Sequence, residues 1–293
     1  MNFFKTMKIT VLISSLFLIL SVYYISKTDL KYGLEFSGGT ELVVGFEGDI
    51  ELENFRKRLS SLNIGKITVQ SYDEEDYIIK IPVNEKESFD NNQIKNAISL
   101  LLEKYYSGIN PSIKQIDYIG PKVGQELVNN GLLAILYGSI AILIYVFIRF
   151  NFGFAFAAIS ALFHDFIIAL FFIAFFEIEI TLSTIAAILT VIGYSVNDTI
   201  VIFDRVRENL KMVKESPSEI INTSIKQTLS RTILTVVTVL IVLLPLFFYG
   251  GPQIEDFSLI MIIGVAIGTY SSIFFAPYIM FLISKGKLTK NVE

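Results

Sequence analysis

Six apolar runs, each about as long as a bilayer requires, dominate this sequence. They cover roughly residues 8–25, 131–148, 152–176, 180–203, 232–249 and 257–283. An α-helix needs about 20 predominantly apolar residues to cross the hydrocarbon core of a membrane. Hydrophobic residues make up 53% of the chain, and the 18% that are charged are concentrated between the runs. The sequence therefore predicts a polytopic membrane protein built on a bundle of six transmembrane helices.

Composition excludes several classes of site. The chain has no cysteine and a single histidine, His164, so disulfides, thiolate metal sites and histidine-rich metal clusters are all excluded. The net charge of −4 gives no reason to expect a nucleic acid partner. We predict no cofactor, no metal and no catalytic residue.

The positive charges indicate an orientation. They fall before the first run, between the second and third, between the fourth and fifth, and after the sixth. These residues are Lys5, Lys8, Arg149, Arg205, Arg207, Lys211, Lys214, Lys226, Arg231, Lys285, Lys287 and Lys290. The short loops 177–179 and 255–256 contain no Lys or Arg. Because positive charge accumulates on the cytoplasmic side, both termini are predicted to be cytoplasmic. The first run ends in Tyr-Tyr-Ile-Ser-Lys, without a cleavage pattern, so we expect an uncleaved anchor.

This orientation places the long segment 28–125 outside, where its pattern predicts a folded α+β domain. Extended runs at 40–46, 67–71, 77–83 and 113–119 alternate with two amphipathic helices, and residues 73–76 form an acidic turn. One helix carries Leu52, Phe55, Leu59 and Leu62, and the other carries Ile94, Ile98, Leu101 and Tyr105. The order β-α-β-β-α-β is that of a ferredoxin-like domain. The predicted organisation is a first helix (1–27), the external domain (28–125), helices two to six (126–287) with a cytoplasmic loop (204–231), and a cytoplasmic tail (288–293).

The fourth run contains two polar residues well inside its apolar length, Asn197 and Asp198. Asp204 follows six residues later and marks the expected boundary of the membrane, so Asp198 lies about 9 Å deeper. A carboxylate in hydrocarbon costs several kcal/mol and usually faces a partner, a cavity or a proton path. Asp198 is therefore our first candidate for function.

Arg231 provides a partner of opposite charge. Thr228, Arg231, Thr235 and Thr238 are spaced to share one face of the fifth helix, at the end where Asp198 is buried. Burial disfavours the anion of a carboxyl group, whereas a nearby guanidinium favours it. A pair that approaches and separates could thus bind and release a proton. The threonine hydroxyls could hold water, or they could simply bond to their own helix.

Other polar and small residues have structural interpretations beside functional ones. The third run contains His164 and Asp165, which could take part in function or form a packed polar pair. Polar groups such as Asp198 can also act only as hydrogen-bonding contacts between helices. The small residues Gly264, Gly268 and Ser272, spaced by four, favour close helix packing.

Three glycines and one charged segment are the remaining candidates for functional or structural roles. Gly33, Gly38 and Gly39 permit a positive φ or a bulge where the chain enters the external domain. The segment 204–209, with Asp204, Arg205, Glu208 and Asn209, ends the fourth helix, and its ordinary interpretation is a solvated cap.

These same residues resemble the SecF subunits of bacterial protein export, members of the RND superfamily. The resemblance rests on Tyr32-Gly-Leu-Glu-Phe-Ser-Gly-Gly-Thr40, Ile119-Gly-Pro-Lys-Val-Gly124, Leu162-Phe-His-Asp165, the run from Ile192 to Asn209, Arg231-Thr-Ile-Leu-Thr-Val-Val-Thr238, and Gly264-x3-Gly268-Thr-Tyr-Ser-Ser272. It covers nearly the whole chain in order. Glu35 stands where the family usually has Asp, which is a conservative departure.

The resemblance implies a bacterial inner-membrane protein paired with SecD. The pair would use the proton or sodium gradient to assist late translocation of unfolded proteins through the SecYEG channel, after the ATPase SecA has acted, with YajC and YidC as further candidate partners. It also implies that Asp198 couples the ion and that Arg231 is its partner. Asn197, Thr235, Thr238, His164 and Asp165 would be supporting polar residues.

Two other functions remain open from the sequence. Asp165 and Asp198, on adjacent helices, could form the dyad of an intramembrane aspartyl protease, although the Gly-x-Gly-Asp motif of such proteases is absent. The chain could also be half of an RND-type exporter of small molecules. One carboxylate and one arginine do not distinguish proton from sodium coupling.

Overall fold

A computed structural model of the chain describes residues 3–62, 64–65, 67–72, 75–83, 91–212 and 215–284. The predicted tail 288–293, the lysines at 214, 285, 287 and 290, and residues 73–74 of the predicted acidic turn lie outside this part. The chain divides into two compact units. One unit is Tyr32–Leu133, called here the sheet unit, and the remainder forms the helical unit.

Ten α-helices and four strands are assigned in the described residues. The helices are α1 (Phe3–Lys27), α2 (Leu34–Ser37), α3 (Leu52–Ser60), α4 (Asn91–Tyr106), α5 (Pro121–Arg149), α6 (Phe152–Phe175), α7 (Leu182–Met212), α8 (Pro217–Tyr249), α9 (Pro252–Tyr270) and α10 (Ala276–Ile283). The strands are β1 (Gly39–Gly45), β2 (Thr68–Ser71), β3 (Asp76–Pro82) and β4 (Ser112–Ile119). A 3₁₀ turn, Ser107–Ile109, follows α4, and a π turn, Ser271–Phe275, joins α9 to α10.

Six membrane-spanning helices are present in the described part of the chain, as predicted. They are α1, α5, α6, α7, α8 and the continuous segment Pro252–Ile283. Several are longer than their apolar runs, because α7 continues to Met212 and α8 already begins at Pro217. A capping box between Ser216 and Glu219 starts α8 far ahead of its apolar part. The predicted loop 204–231 is therefore largely helical, since hydropathy marks the apolar part of a helix and not its ends.

The helical unit has a buried centre and outward-facing helices. About half of the apolar stretch of α6, α7 and the last spanning helix is buried (50%, 56% and 56%), against 11% in α5 and α8. Aromatic contacts at one end join these helices, with Phe203 packed edge-on against Phe150 and Phe154 at ring distances of 5.9 and 5.2 Å. The helices α6, α7 and α9–α10 thus form the core around which α1, α5 and α8 are arranged.

Small residues allow α9 to approach α7 closely. A β-carbon placed on Gly264 would overlap the side chain of Val191, and one on Gly268 would lie 2.9 Å from the β-carbon of Ser195. Such separations are too short for two carbon atoms, so only glycine fits at the contact. The ridge that includes Gly264 and Gly268 therefore lies against α7, at the level of the polar residues described below.

The loop after α6 is hydrogen-bonded to the segment that follows α1. The amide of Ile180 donates to the carbonyl of Lys31 at 2.8 Å, and Lys31 Nζ lies 2.5 Å from Glu177 Oε2. This hydrogen bond and the lysine charge lower the pKa of the Glu177 carboxyl. Both side chains are exposed, so the ion pair contributes little stability and mainly positions the loop.

The sheet unit has the predicted ferredoxin-like topology. Its strands are ordered β2-β3-β1-β4, and every neighbouring pair is antiparallel. The apolar faces of α3 and α4 pack on this sheet around an aromatic group in which Phe46, Phe55, Tyr77 and Tyr106 make edge-to-face contacts. The strands begin and end within one residue of the predicted extended runs, because period-two alternation marks both ends of a half-buried strand.

Two glycines turn the chain into the sheet. Gly38 ends α2 with φ of 71°, and Gly39 follows with φ of 152°, a region that L side chains rarely adopt. Gly33 has φ of −66°, a conformation open to other residues, so the predicted need for glycine does not extend to it. Gly124, at the start of α5, lies so close to the carbonyl of Phe36 that a β-carbon would be 2.9 Å from that oxygen.

The glycine contact between α9 and α7 predicts a stability difference. Gly268→Ala should lower the free energy of unfolding of the isolated chain in detergent by about 1–3 kcal/mol, since a β-carbon would overlap Ser195. Gly193→Ala is the matched control, because its β-carbon would meet no atom within 4 Å. Thermal denaturation in detergent measures both. Equal melting temperatures for the two variants would contradict the packing described here.

Candidate functional site

The two polar residues at the middle of α7 face in different directions. Asp198 is buried, with 8% of its surface exposed, on the same face as Ser195 and Thr199. Asn197 is exposed on the outer face of the helical unit. Consecutive residues of an α-helix point about 100° apart, so the two positions cannot both face the interior.

Asp198 has no hydrogen-bond donor among the described residues. The positive charge that acts on its carboxylate is that of Arg231 in α8, but the two side chains do not form a direct ion pair. Arg231 itself is exposed in the isolated chain. The site therefore contains two opposite charges that interact electrostatically without forming a direct ion pair.

The threonines of α8 bond to their own helix. Thr228 donates to the carbonyl of Ser224 at 3.0 Å, Thr235 to that of Arg231 at 2.9 Å, and Thr238 to that of Thr235 at 2.8 Å. This is the plainer of the two interpretations of the threonine stripe. Their oxygens keep the capacity to accept a hydrogen bond.

Thr232 is a residue that the sequence analysis missed. Its hydroxyl is buried and has no hydrogen-bond partner in the described part of the chain. It follows Arg231 directly and lies four residues after Thr228, so helical spacing from Thr228 could have identified it. A buried hydroxyl without a partner is costly, which makes Thr232 a candidate for binding water beside Arg231.

His164 and Asp165 form a polar centre inside the bundle. The imidazole Nδ1 lies 2.8 Å from Asp165 Oδ1, and both side chains are fully buried. Ser195 of α7 and Ser271 of the π turn donate to Asp165 Oδ2, the latter at 2.7 Å. Ser14 of α1 is hydrogen-bonded to His164 Nε2. We call these five residues the serine–histidine–aspartate network, of which the sequence analysis named only the histidine and the aspartate.

A second set of hydrogen bonds joins α7 to the π turn. Thr199 Oγ1 lies 2.8 Å from Ser272 Oγ, and Ser272 Oγ donates to the carbonyl of Ser195 at 3.1 Å. Ser272, predicted as a packing residue, therefore also makes polar contacts. The two residues of α7 that make these contacts, Ser195 and Thr199, lie three residues before and one residue after Asp198.

The charged end of α7 is bound to neighbouring segments. Arg149, which ends α5, pairs with Asp204 at 2.7 Å, and within α7 Arg205 pairs with Glu208 at 2.7 Å. Asn209 donates to Ser224 Oγ at 2.8 Å and to Gln227 Oε1 at 2.9 Å, which connects α7 to α8. Since Asn209 is buried, it does more than cap a solvated helix end.

The remaining predicted residues belong to the sheet unit. Gly33, Gly38 and Gly39 flank or end the short helix α2, which contains Glu35. Among the described residues, no group of three or more His, Asp or Glu side chains could hold a metal ion.

These features together define a class of protein: a multi-pass membrane protein of six spanning helices with a ferredoxin-like domain inserted after the first. A family described as "Protein export membrane protein SecD/SecF, C-terminal" matches residues 100–286. The chain belongs to the SecD/SecF family, which confirms the resemblance drawn from its motifs. Membership supports a role in protein export.

Relatives and solved structures agree with this assignment. The SecF subunit of the protein translocase of Rickettsia rickettsii is 38% identical over 295 residues, 99% of this chain and 94% of the relative. The SecF subunit of Vibrio alginolyticus is 41% identical over 279 residues, 94% and 87% of the two chains.

The crystal structure of SecDF from Thermus thermophilus, described as a translocon-associated membrane protein, matches with a TM-score of 0.84 and 31% identity. The match covers 97% of this chain and 39% of that one, so the present chain spans well under half of SecDF. A second SecDF structure, in a super-membrane-facing form, matches with a TM-score of 0.72.

The orientation of α7 is testable because the chain contains no cysteine of its own. Asn197→Cys, on the exposed face, should react with a maleimide when the isolated chain is in detergent. Ser195→Cys, at a position 2% exposed, should react only after denaturation. Labelling is followed by mass spectrometry, and equal reactivity of the two cysteines in the folded chain would contradict the helix orientation.

Proposed function

We propose that this chain is a SecF subunit that acts with SecD and uses an ion gradient to assist the late translocation of unfolded proteins through the SecYEG channel. The observation that carries the proposal is Asp198, an ionisable group buried in the bundle and acted on by Arg231 without a direct ion pair. Family membership supports the export role. SecYEG is the expected channel, and YajC and YidC are further candidate partners.

The coupling step is the loss of charge at Asp198. When the carboxylate is ionised, Arg231 attracts it and holds α7 and α8 together at this level. Protonation removes the attraction and lets α8 shift. Two unit charges about 4 Å apart attract each other by roughly 4 kcal/mol at an effective dielectric constant of about 20, and the charges of Asp198 and Arg231, which form no direct ion pair, attract each other by less than this. One charge crossing a potential of about 100 mV is worth about 2.3 kcal/mol. The gradient thus supplies energy of the same order as the interaction that it switches.

A SecD subunit would complete the site on the exposed side of α8. Arg231 and Thr238 are exposed in the isolated chain, on a helix whose apolar length is otherwise suited to the membrane. A charged side chain within a bilayer normally faces protein or a water-filled cavity. We therefore infer that SecD covers this face and that the ion path runs between the two subunits.

The external domain transmits the shift to the substrate. We propose that residues 28–125 lie outside the cytoplasm and both termini inside, in the bacterial inner membrane. The lysine and arginine distribution supports this orientation. On this arrangement, movement of the spanning helices displaces the external domain against the emerging polypeptide.

The two other candidate functions gain no support from the geometry. Asp165 is occupied by His164, Ser195 and Ser271, and it shares no hydrogen bond with Asp198 in the described part of the chain. A protease dyad needs two carboxyl groups within reach of one water molecule. No observation favours an exporter of small molecules over protein export.

The role of Asp198 is tested by the isosteric variant Asp198→Asn in inverted vesicles that contain SecD and the translocon. The gradient-driven part of translocation should disappear, while the part driven by ATP should remain, because the amide cannot exchange a proton. Asp49→Asn, an exposed carboxylate of the sheet unit, is the matched control and should keep full stimulation. Undiminished gradient dependence in Asp198→Asn would end this proposal.

The same assay identifies the ion. Gradient-driven translocation is measured in sodium-free medium with a proton gradient, and again with a sodium gradient while a protonophore collapses the proton gradient. Stimulation under the first condition alone assigns the proton, and stimulation under the second alone assigns sodium.

The orientation predicts where single cysteines are labelled in intact cells whose outer membrane is made permeable. Tyr118→Cys, exposed in the sheet unit, should react with a membrane-impermeant maleimide. Ser216→Cys, exposed before α8, should react only after the inner membrane is opened. The reverse pattern would require the opposite orientation.

A further inference from the structure

The serine–histidine–aspartate network has no role in the coupling step described above, yet it lies buried inside the bundle. His164 and Asp165 are each 1% exposed. Every polar atom of the two side chains has a hydrogen-bond partner, on α1, α6, α7 or the π turn. A site in which both carboxylate oxygens and both ring nitrogens have hydrogen-bond partners is suited to holding helices in place and not to binding a ligand.

The network reaches α7 next to the coupling residue. Ser195, which donates to Asp165, stands three residues before Asp198 and on the same buried face. Thr199, which bonds Ser272 of the π turn, stands one residue after it. Asp198 therefore lies between two residues of α7, Ser195 and Thr199, that are hydrogen-bonded to other helices. Its own carboxylate receives no hydrogen bond from the described residues.

The π turn provides the hydrogen-bond partner of Thr199. Ser271 and Ser272 are consecutive, and both are fully buried. Ser271 bonds the aspartate of α6, while Ser272 bonds the threonine and a backbone carbonyl of α7. A break in an α-helix of this kind is frequent at functional sites. Here it lets one segment of the last spanning helix hold α6 and α7 simultaneously.

We propose that His164 and Asp165 are positioning residues for Asp198. Through Ser195, and with Ser271 and Ser272 of the π turn, they fix the rotation of α7 that turns Asp198 toward Arg231. The rotation matters because the neighbouring position, Asn197, faces outward, and a turn of about 100° would exchange the two. This inference rests on the proposed function of Asp198, but it concerns residues that touch neither the ion nor Arg231.

The test combines a functional and a spectroscopic measurement on the complex with SecD. Asp165→Asn removes the anionic acceptor, and the milder Ser195→Ala removes one hydroxyl and keeps the histidine–aspartate pair. Ser258→Ala is the matched control, because this buried hydroxyl has no hydrogen-bond partner in the described part of the chain. Nitroxide labels at Thr190→Cys and Val237→Cys, both exposed in the isolated chain, report the distance between α7 and α8 by dipolar broadening in EPR spectra.

Both network variants should lower the gradient-driven rate of translocation roughly tenfold to hundredfold, since small misplacements of a reacting group have effects of this size. Both should also shift the EPR distance distribution to a new defined distance, whereas a loss of stability alone would only add the broad distances of unfolded protein. Ser258→Ala should change neither quantity. If Asp165→Asn does not fold, Ser195→Ala decides the question.

Two results would overturn the inference. One is a native rate in Ser195→Ala, and the other is a reduced rate with an unchanged EPR distance. The variant Asp198→Asn, measured in the same assay, distinguishes a failure of the proposed function from a failure of the positioning role. If that variant loses gradient-driven translocation while the network variants behave as the native protein, only the positioning role is wrong.

Discussion

The free-energy cost of a polar group in hydrocarbon governs the arrangement of this bundle. A buried carboxylate must be neutralised, hydrogen-bonded or brought next to an opposite charge, because no water surrounds it. The apolar runs of the spanning helices contain two carboxylates, Asp165 and Asp198, and their surroundings differ. Asp165 accepts hydrogen bonds on both oxygens. Asp198 accepts none from the described residues, and the charge of Arg231 acts on it without a direct ion pair.

This difference separates a structural carboxylate from one that can change its charge. Protonation of Asp165 would disturb contacts with three other side chains, so the network favours a single state. Protonation of Asp198 removes only its attraction to Arg231 and breaks no hydrogen bond from the described residues, so in the proposed mechanism α8 can shift while α7 stays packed. The first carboxylate supports the helix that carries the second, which explains why both occur in one bundle.

The sequence predicted the fold well because the signals are local. Apolar length identified the six spanning helices, and alternation identified the four strands of the sheet unit to within a residue. The burial of Asp198 was also predictable, because it lies deep inside an apolar run, whereas its pairing with Arg231 stays a prediction. The helix ends were harder to predict from the sequence, because the capping box at Ser216 and the continuation of α7 to Met212 lie in polar segments.

The partners of His164 and Asp165 could not be predicted, since they come from helices far apart in sequence. Ser14 is 150 residues from His164, and Ser271 is 106 residues from Asp165. Nothing in the spacing of single serines indicates which of them meet. The π turn could not be predicted either, because its sequence, Ser-Ser-Ile-Phe-Phe, has no residue that breaks a helix.

The distribution of contacts also decides which helix can move in the proposed mechanism. The helix α7 is held by the network, by the π turn and by the glycine contact at Gly268, all near Ser195. The helix α8 is bonded to α7 through Asn209 near its start, and beyond Thr228 its threonine hydroxyls bond only to its own backbone or have no partner among the described residues. Since 89% of its apolar stretch is not buried within this chain, α8 has fewer contacts to break than α7. A change of charge at Asp198 would therefore displace Arg231 and its helix, while the carboxylate stays where the network holds it.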